Sequence, residues 1–322
     1  MENSEVITNN FSVKKYEASA MGEWDQFIDS AKNATFLFKR NFMDYHSHRF
    51  SDFSLMIYKK DSLFAVLPAN HCDNILYSHQ GLTYGGLISK SANAGTIEDI
   101  LNAVIYFLRQ HAFVAVQLKI MPQFLQIDYH SAQEYFMFQK GADLVRRDMN
   151  FIIDLSKKLK LSNSKRIKPN SETANLLEIG VSDDLKTFWD EMLVPGLAST
   201  HGVKPVHSLE EIQLLKERFP KNILQYYVYA NNAKIAGMLL FVDNGVVKSQ
   251  YVGSTETGKS FRALEFLYVK LLMKYQTEGF RYFDMGITNT NEGRQYNSGL
   301  TRYKEEFGAF AVNMDHFKLN IL

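Results

Sequence analysis

The sequence predicts an α/β (α+β) chain of two tandem units, each with a mixed, mainly antiparallel sheet flanked by helices. Three observations carry that prediction. In residues 53–69 and 224–242 apolar and aromatic residues flank a polar turn, the pattern of a β-hairpin. Each hairpin is followed by the same succession of strand, polar loop, helical periodicity and short strand. Placing Tyr58 on Tyr229 also places Ser78 on Ser249, so order and spacing agree together. Finally, 322 residues with 46% hydrophobic and 22% charged side chains suffice for two cores of ordinary size.

Taken in order, the first ten residues are polar and acidic, unlike the basic start and apolar core of a signal peptide. An amphipathic stretch around Trp24 precedes the first hairpin, whose turn is residues 59–62. The loop "SHQGLTYGGL" (78–87) leads to a helix at 97–110 and a strand at 113–120. Residues 156–170 carry six positive charges and read as a solvated connection, dividing the chain into 1–155 and 156–322. The second unit repeats the order: a stretch around Trp189, a hairpin turning at Asn231 and Asn232, the strand "VVKSQYV" (246–252), a loop, a helix at 261–276 and a strand at 280–287.

The bulk numbers bound the function. A net charge of +1 supplies no global field for DNA or an anionic membrane. The single cysteine, Cys72, excludes an internal disulfide and a cysteine metal cluster. No apolar run reaches the roughly 18 residues of a membrane span, so a cytoplasmic protein without a transmembrane segment is expected. His46 and His48, two residues apart, cannot share one helix face, and no metal is assigned.

The loop "GSTETGKS" (253–260) matches the phosphate-loop pattern G-x-x-x-x-G-K-[ST]. A nucleotide hydrolase would place it after a buried parallel strand. Here the preceding strand alternates, carries Lys248 and Gln250, and follows a hairpin. A meander, a Gly-containing loop and a helix N-terminus facing the ligand resemble instead the layout of GNAT acyltransferases. That resemblance implies that Thr257, Gly258, Lys259, Ser260 and Arg262 seat the pyrophosphate of acyl-CoA. "FDMGITNTNEGRQYNSGLTRYKEEFGA" (283–309) resembles the Fem-type branch of that superfamily. Its Asp-x-Gly strand end is Asp284 and Gly286, and its second motif is Gly299, Leu300, Lys304, Phe307 and Gly308. The resemblance runs over nearly the whole chain and implies tandem GNAT-like units. It implies N-acyl transfer onto an amine of a cell-envelope precursor, either peptidoglycan or a surface sugar. Contact with a lipid-linked precursor would be transient. Fem ligases use aminoacyl-tRNA, and many carry a charged helical hairpin. The span from Trp189 to Pro220 is too short for one and holds Pro195, Gly196 and Pro205. Acyl-CoA is therefore the expected donor and aminoacyl-tRNA the alternative, with Lys165 and Arg166 as its contacts. A precursor-binding protein without catalysis is a further alternative.

N-acyl transfer needs a base for the amine and a proton for the leaving group. His201 and His207 flank "GVKP" and are candidate bases, although His207 abuts a helix cap at Ser208 and Glu211. Asp284, at a strand end, could act as base, orient the amine or cap the next loop. Tyr251 could protonate the leaving group or pack in the core. Ser78, His79 and Tyr84 could line an acceptor cleft in the first unit. Asn289, Asn297, Arg302 and Lys304 could bind a carboxylate or phosphate of the acceptor. Cys72 has no activating neighbour in sequence, so no covalent intermediate is expected.

Overall fold

Both hairpins form where the flanked polar turns place them. The computed structural model describes residues 6–8, 11–128, 130–166 and 176–321. Leu55–Lys59 pairs antiparallel with Ser62–Leu67. Ile223–Ala230 pairs antiparallel with Ala233–Asp243. Between the second pair, Asn231 and Asn232 take φ values of 48° and 65°. Left-handed geometry at both positions makes the type I′ turn, which matches strand twist and which asparagine tolerates better than most residues bearing a Cβ. Asn244 and Gly245, at 49° and 73°, turn Ala233–Asp243 into Val246–Ser254 in the same way.

The chain divides into two compact units. The first holds the described residues to Asp148, together with Asn291–Arg294 and the residues from Asn313 onward. The second holds Met149–Thr290 and Gln295–Val312. The division thus departs from the expected 1–155 and 156–322. The physical reason is a pair of long strands, Asp143–Asp154 and Phe310–Asn320, that alternation did not reveal. Each begins in one unit and ends in the other.

In the first unit, Phe11–Lys15, Leu55–Lys59, Ser62–Leu67 and Ile88–Ser89 are consecutive neighbours in an antiparallel sheet. Beside it, Ala115–Lys119 pairs antiparallel with the end of Phe310–Asn320 and parallel with Ile75–Tyr77. The helix Ala94–Gln110 starts before the expected residue 97 because the Asn93 side chain accepts from the Thr96 N–H at 3.2 Å. Its Ile97, Ile100, Leu101, Val104, Phe107 and Leu108 recur at helical spacing and are buried. Each such side chain contributes about 1.5–3 kcal/mol of transfer free energy. Trp24, on the helix Met21–Ser30, is fully buried and donates its indole N–H to the Phe38 carbonyl at 2.8 Å.

In the second unit the strand order is Leu177–Val181, Ile223–Ala230, Ala233–Asp243, Val246–Ser254, Tyr282–Ile287 and then the Met149 end of Asp143–Asp154. Helix Ala263–Thr277 buries Phe266, Leu267, Leu271, Leu272 and Tyr275 against this sheet. It starts at Ala263 because Arg262 takes a left-handed φ of 53° and separates it from the short turn Glu256–Ser260. Trp189 lies in a π-helical stretch, Phe188–Leu193, that continues into the helix Val194–His201. The capping box of Ser208 and Glu211 forms.

Residues 156–166 are not merely a solvated connection. Lys165 is buried, 3.5 Å from Glu265 and 3.4 Å from Glu306, with its ammonium 4.0 Å from the centroid of the Tyr303 ring. Such a pinned cation is not available to an external ligand. Residues 167–170 of the connection lie outside the described residues.

Replacing Asn232 by alanine puts a methyl-bearing residue without local hydrogen bonding into left-handed backbone. Denaturant titration is expected to show a loss of about 1 kcal/mol, whereas Asn232→Gly is expected to lose nothing.

Candidate functional site

In the second unit Val246, Val247 and Lys248 pair parallel with Tyr282, Phe283 and Asp284, and the register ends there. Val246–Ser254 continues alongside Ala233–Asp243, while Tyr282–Ile287 continues alongside Asp143–Asp154. A bulge between Ser249 and Tyr251 accompanies the parting. Where two strands separate, backbone and polar groups must find other partners. Buried side chains supply them here. The carboxylate of Asp284 accepts from Asn150 at 2.9 Å and the Gly286 N–H at 2.7 Å through one oxygen, and from the Lys248 ammonium at 3.1 Å through the other. Ser249 donates to the Asp284 carbonyl at 3.2 Å and receives the Tyr268 hydroxyl at 3.4 Å.

Lys304, on the helix Ser298–Glu305, donates to the carbonyls of Gly286 and Ile287 at 2.7 and 2.9 Å. Gly286 has φ +79°, and a Cβ there would lie 3.9 Å from both the Lys248 and Lys304 nitrogens. Burial lowers the pKa of Lys304 to about 7; the Asp284 carboxylate opposes this shift and the Lys248 cation adds to it. An amine so placed keeps two N–H donors when neutral and exchanges its proton near physiological pH. Asp284 therefore both caps its own turn, as its position at a strand end allowed, and anchors an internal charge cluster.

His207 and Tyr251 also meet. His207 Nδ1 lies 2.7 Å from the Tyr251 hydroxyl, and the His207 backbone N–H donates to that hydroxyl at 3.3 Å. Tyr251 packs edge-on to Trp189, and burial raises its phenol pKa. His201 ends the helix Val194–His201, closed by Gly202 at φ 64°. The His201 side chain lies outside the described part of the structure.

The residues expected to seat a phosphate, Thr257, Gly258, Lys259, Ser260 and Arg262, have partners within the chain. Thr255 caps the single turn Glu256–Ser260 and takes the Gly258 N–H at 3.1 Å, while the Lys259 N–H goes to the Thr255 carbonyl at 3.0 Å. Gly258 is buried, and a Cβ there would overlap the Ile235 carbonyl. The glycine thus serves close approach of helix to strand. The Thr257 carbonyl accepts from the Ser260 hydroxyl at 2.8 Å. Lys259 pairs with Glu256 at 2.5 Å, and Arg262 donates to the Ser164 carbonyl at 2.6 Å.

Of the residues placed near the Fem-like motif, Asn289 accepts from the Met149 N–H and Asn297 caps the following helix through the Leu300 N–H at 2.9 Å. Both side chains thus have partners within the fold. Arg302 is exposed, 3.8 Å from Glu306.

In the first unit, Ser78 and His79 line a cleft of about 420 Å³ with Gln117, Lys119, Arg146 and His316. Tyr84 does not join them. It is buried, 3.0 Å from the Thr35 hydroxyl, and packs edge-on to Phe38. Burial lowers His79 to about 3, Lys119 to about 8 and His316 to about 4. Alternation had flagged neither Lys119, Arg146 nor His316, because each sits on a strand whose partners come from distant segments. Lys248 was visible only as an anomaly in its strand. Among the described residues no group of three or more His, Cys, Asp or Glu is placed to hold a metal ion, and no helix is long and apolar enough to cross a membrane.

No protein-family model and no curated protein matches the chain. Solved structures do match. FemX superposes with a TM-score of 0.67 at 10% identity, covering 95% of this chain and 97% of that one. The C-terminal domain of a putative lysylphosphatidylglycerol synthetase from Agrobacterium fabrum gives 0.61 at 12% identity, covering 94% and 92%. A tandem GNAT protein from the clavulanic acid biosynthesis pathway gives 0.51 at 9% identity, covering 97% and 99%. The chain has the tandem GNAT-like fold that the sequence predicted.

Two measurements check this account. Gly258→Ala is expected to cost about 3 kcal/mol in denaturant unfolding, whereas a glycine kept only for a ligand would leave stability unchanged. Lys304 is lower in pKa when folded than when unfolded, so its penalty is fully present below pH 7 and is released as pH rises from 7 towards 10.5. The wild type should therefore gain more stability across that window than Lys304→Met, by on the order of 2–4 kcal/mol.

Proposed function

We propose that this chain is an acyl- or aminoacyltransferase that moves its group onto an amine of a cell-envelope precursor. The observation that carries the reading is the buried Asp284–Lys248–Lys304 cluster at the parting strands of the second unit. It joins an anion, a cation and an amine of near-neutral pKa in one place. The tandem GNAT-like fold shared with FemX and with a lysylphosphatidylglycerol synthetase domain supports the same class of chemistry.

In the reaction, the acceptor nitrogen attacks the ester or thioester carbonyl. The new C–N bond forms, the C–O or C–S bond breaks, and the proton lost by the amine ends on the leaving oxygen or sulfur. Lys304 is suited to relay that proton because both its protonation states are accessible near neutral pH. Asp284 orients the cluster and neutralises Lys248. The His207–Tyr251 pair is a second route for leaving-group protonation, since the phenol holds its proton and is hydrogen-bonded to the imidazole.

The donor we favour is an aminoacyl ester, with aminoacyl-tRNA as its natural form. The backbone N–H groups of Gly258 and Lys259 are already engaged, which removes part of the seat expected for the coenzyme A pyrophosphate. Lys165 is buried and does not serve a tRNA, whereas Arg166 is exposed. The cleft of the first unit is the reading's acceptor site.

Purified protein incubated with labelled aminoacyl-tRNA and a peptidoglycan-precursor peptide carrying a free side-chain amine is expected to transfer the label. Labelled acetyl-CoA should transfer none. Lys304→Met is expected to lower the rate about 100-fold while remaining folded by circular dichroism. Transfer from acetyl-CoA alone would reverse the donor assignment, and an unimpaired Lys304→Met would remove the cluster from the chemistry.

A further inference from the structure

The first-unit cleft holds one group that its other lining does not explain. Asn291–Arg294 packs with the first unit although its sequence neighbours belong to the second. There Asn291 and Glu292 both take left-handed φ values, 48° and 50°. Neither is glycine, so each conformation is disfavoured and is held by its surroundings. Gly293, at φ +86°, lies so close to the Arg147 carbonyl that a Cβ would overlap it. This tight seat places Glu292 in the lining of the cleft.

The remaining lining is rich in donors. Lys119 uses its ammonium on the Leu82 carbonyl at 2.5 Å and has further N–H groups to give. Arg146 contacts Asp148 through Nε alone, at 3.0 and 2.9 Å to the two oxygens, which leaves its terminal nitrogens unused by that pair. The Ser78 hydroxyl oxygen accepts the Lys119 backbone N–H at 2.7 Å. His79 is only 3% exposed, and its buried Nδ1 has no hydrogen-bond partner among the described residues. Its ring stacks on His46 at 5.1 Å. A buried polar atom without a partner, beside a lysine and an arginine in a cleft of about 420 Å³, marks a place prepared for an external ligand.

We infer that the first-unit cleft is an oxyanion site for a phosphate or carboxylate group, held by Lys119, Arg146 and His79, and that the carboxylate of Glu292 is its built-in competitor. The biological role rests on the acceptor reading above, since the anion would be the part of the acceptor remote from the reacting amine. The binding itself requires neither donor nor acceptor.

Protons strengthen the inference. The charged and titratable groups around the cleft are Tyr77, Lys119, Arg146, Asp148, Glu292, His46, His79 and His316, with Arg40 acting on His79 and Asp315 on His316 from farther out. Burial holds His79, His316 and Lys119 below their ordinary pKa values, so an arriving anion raises all three and takes up protons as it binds. Affinity should therefore be higher at pH 6 than at pH 8.5.

Isothermal titration with inorganic pyrophosphate and, separately, with succinate tests this in full-length protein. At least one should bind, and the one that does identifies the anion as phosphate or carboxylate. Glu292→Gln is expected to tighten binding about 5-fold, because an exchanged charge near a surface is worth up to roughly one kcal/mol. Arg146→Gln and Lys119→Met are expected to weaken it at least about 10-fold. Glu292 sits on a loop, so its variant keeps the question open to refutation even if a buried-lysine variant misfolds. Binding of neither probe, or equal or weaker binding by Glu292→Gln, overturns the proposal. A failure of label transfer with pyrophosphate still bound would instead fall on the function proposed above.

Discussion

The structure depends on a constraint set by two parallel strands that pair briefly and then separate. In the second unit the ladder between Val246–Ser254 and Tyr282–Ile287 ends at Lys248 and Asp284. Beyond that point neither strand can satisfy the other. The Asp284 carboxylate, the two lysines and the Ser249–Tyr268 hydroxyl pair do so, which is why charge is found beside the second unit's apolar core. The first unit faces the same problem after Tyr77 and solves it with a loop: the Ser78 N–H reaches the Gln117 carbonyl and the Gly85 N–H the Lys119 carbonyl. The second unit fills the parting with an ionised cluster, and the first with backbone groups, the Ser78 hydroxyl and the Lys119 ammonium.

What could be read in the sequence was whatever repeats over a few residues. The hairpins follow from apolar and aromatic runs on either side of a polar turn, with two asparagines in the second, and the helices from apolar spacing and a cap such as Ser208. No strand was expected at Asp143–Asp154, where three charged residues, Arg146, Arg147 and Asp148, stand in succession. Those charges are balanced within the fold, Arg146 by Asp148 and Arg147 by Asp315. The Arg147–Asp315 pair joins residues 168 apart in sequence, so no local pattern announces it. The same holds for the site. Asp284 and Lys304 were marked by a motif, but Lys248 joins them only through the parallel register, which sequence spacing does not encode.

The matched phosphate-loop pattern shows how one residue type serves two masters. Gly258 is needed because a strand carbonyl lies where its side chain would be, not because a phosphate does. Lys259, the lysine of the pattern, is on the surface beside Glu256. Tyr84 teaches the converse: a polar aromatic in a glycine-rich loop was read as ligand-facing, yet its hydroxyl finds Thr35 inside the core.

The closing strand of the first unit has a consequence for biosynthesis. Residues from Asn313 onward pair with Ala115–Lys119 and bury Leu319 and Ile321 in the core built by the opening half. On a ribosome that core stays unsealed until the strand Phe310–Asn320 has been made, and the second unit's other elements are synthesised in between. Vectorial synthesis therefore hands the nascent chain a long interval with an exposed apolar seam, and emergence of that closing strand, rather than of the opening half, sets the moment at which that half can close.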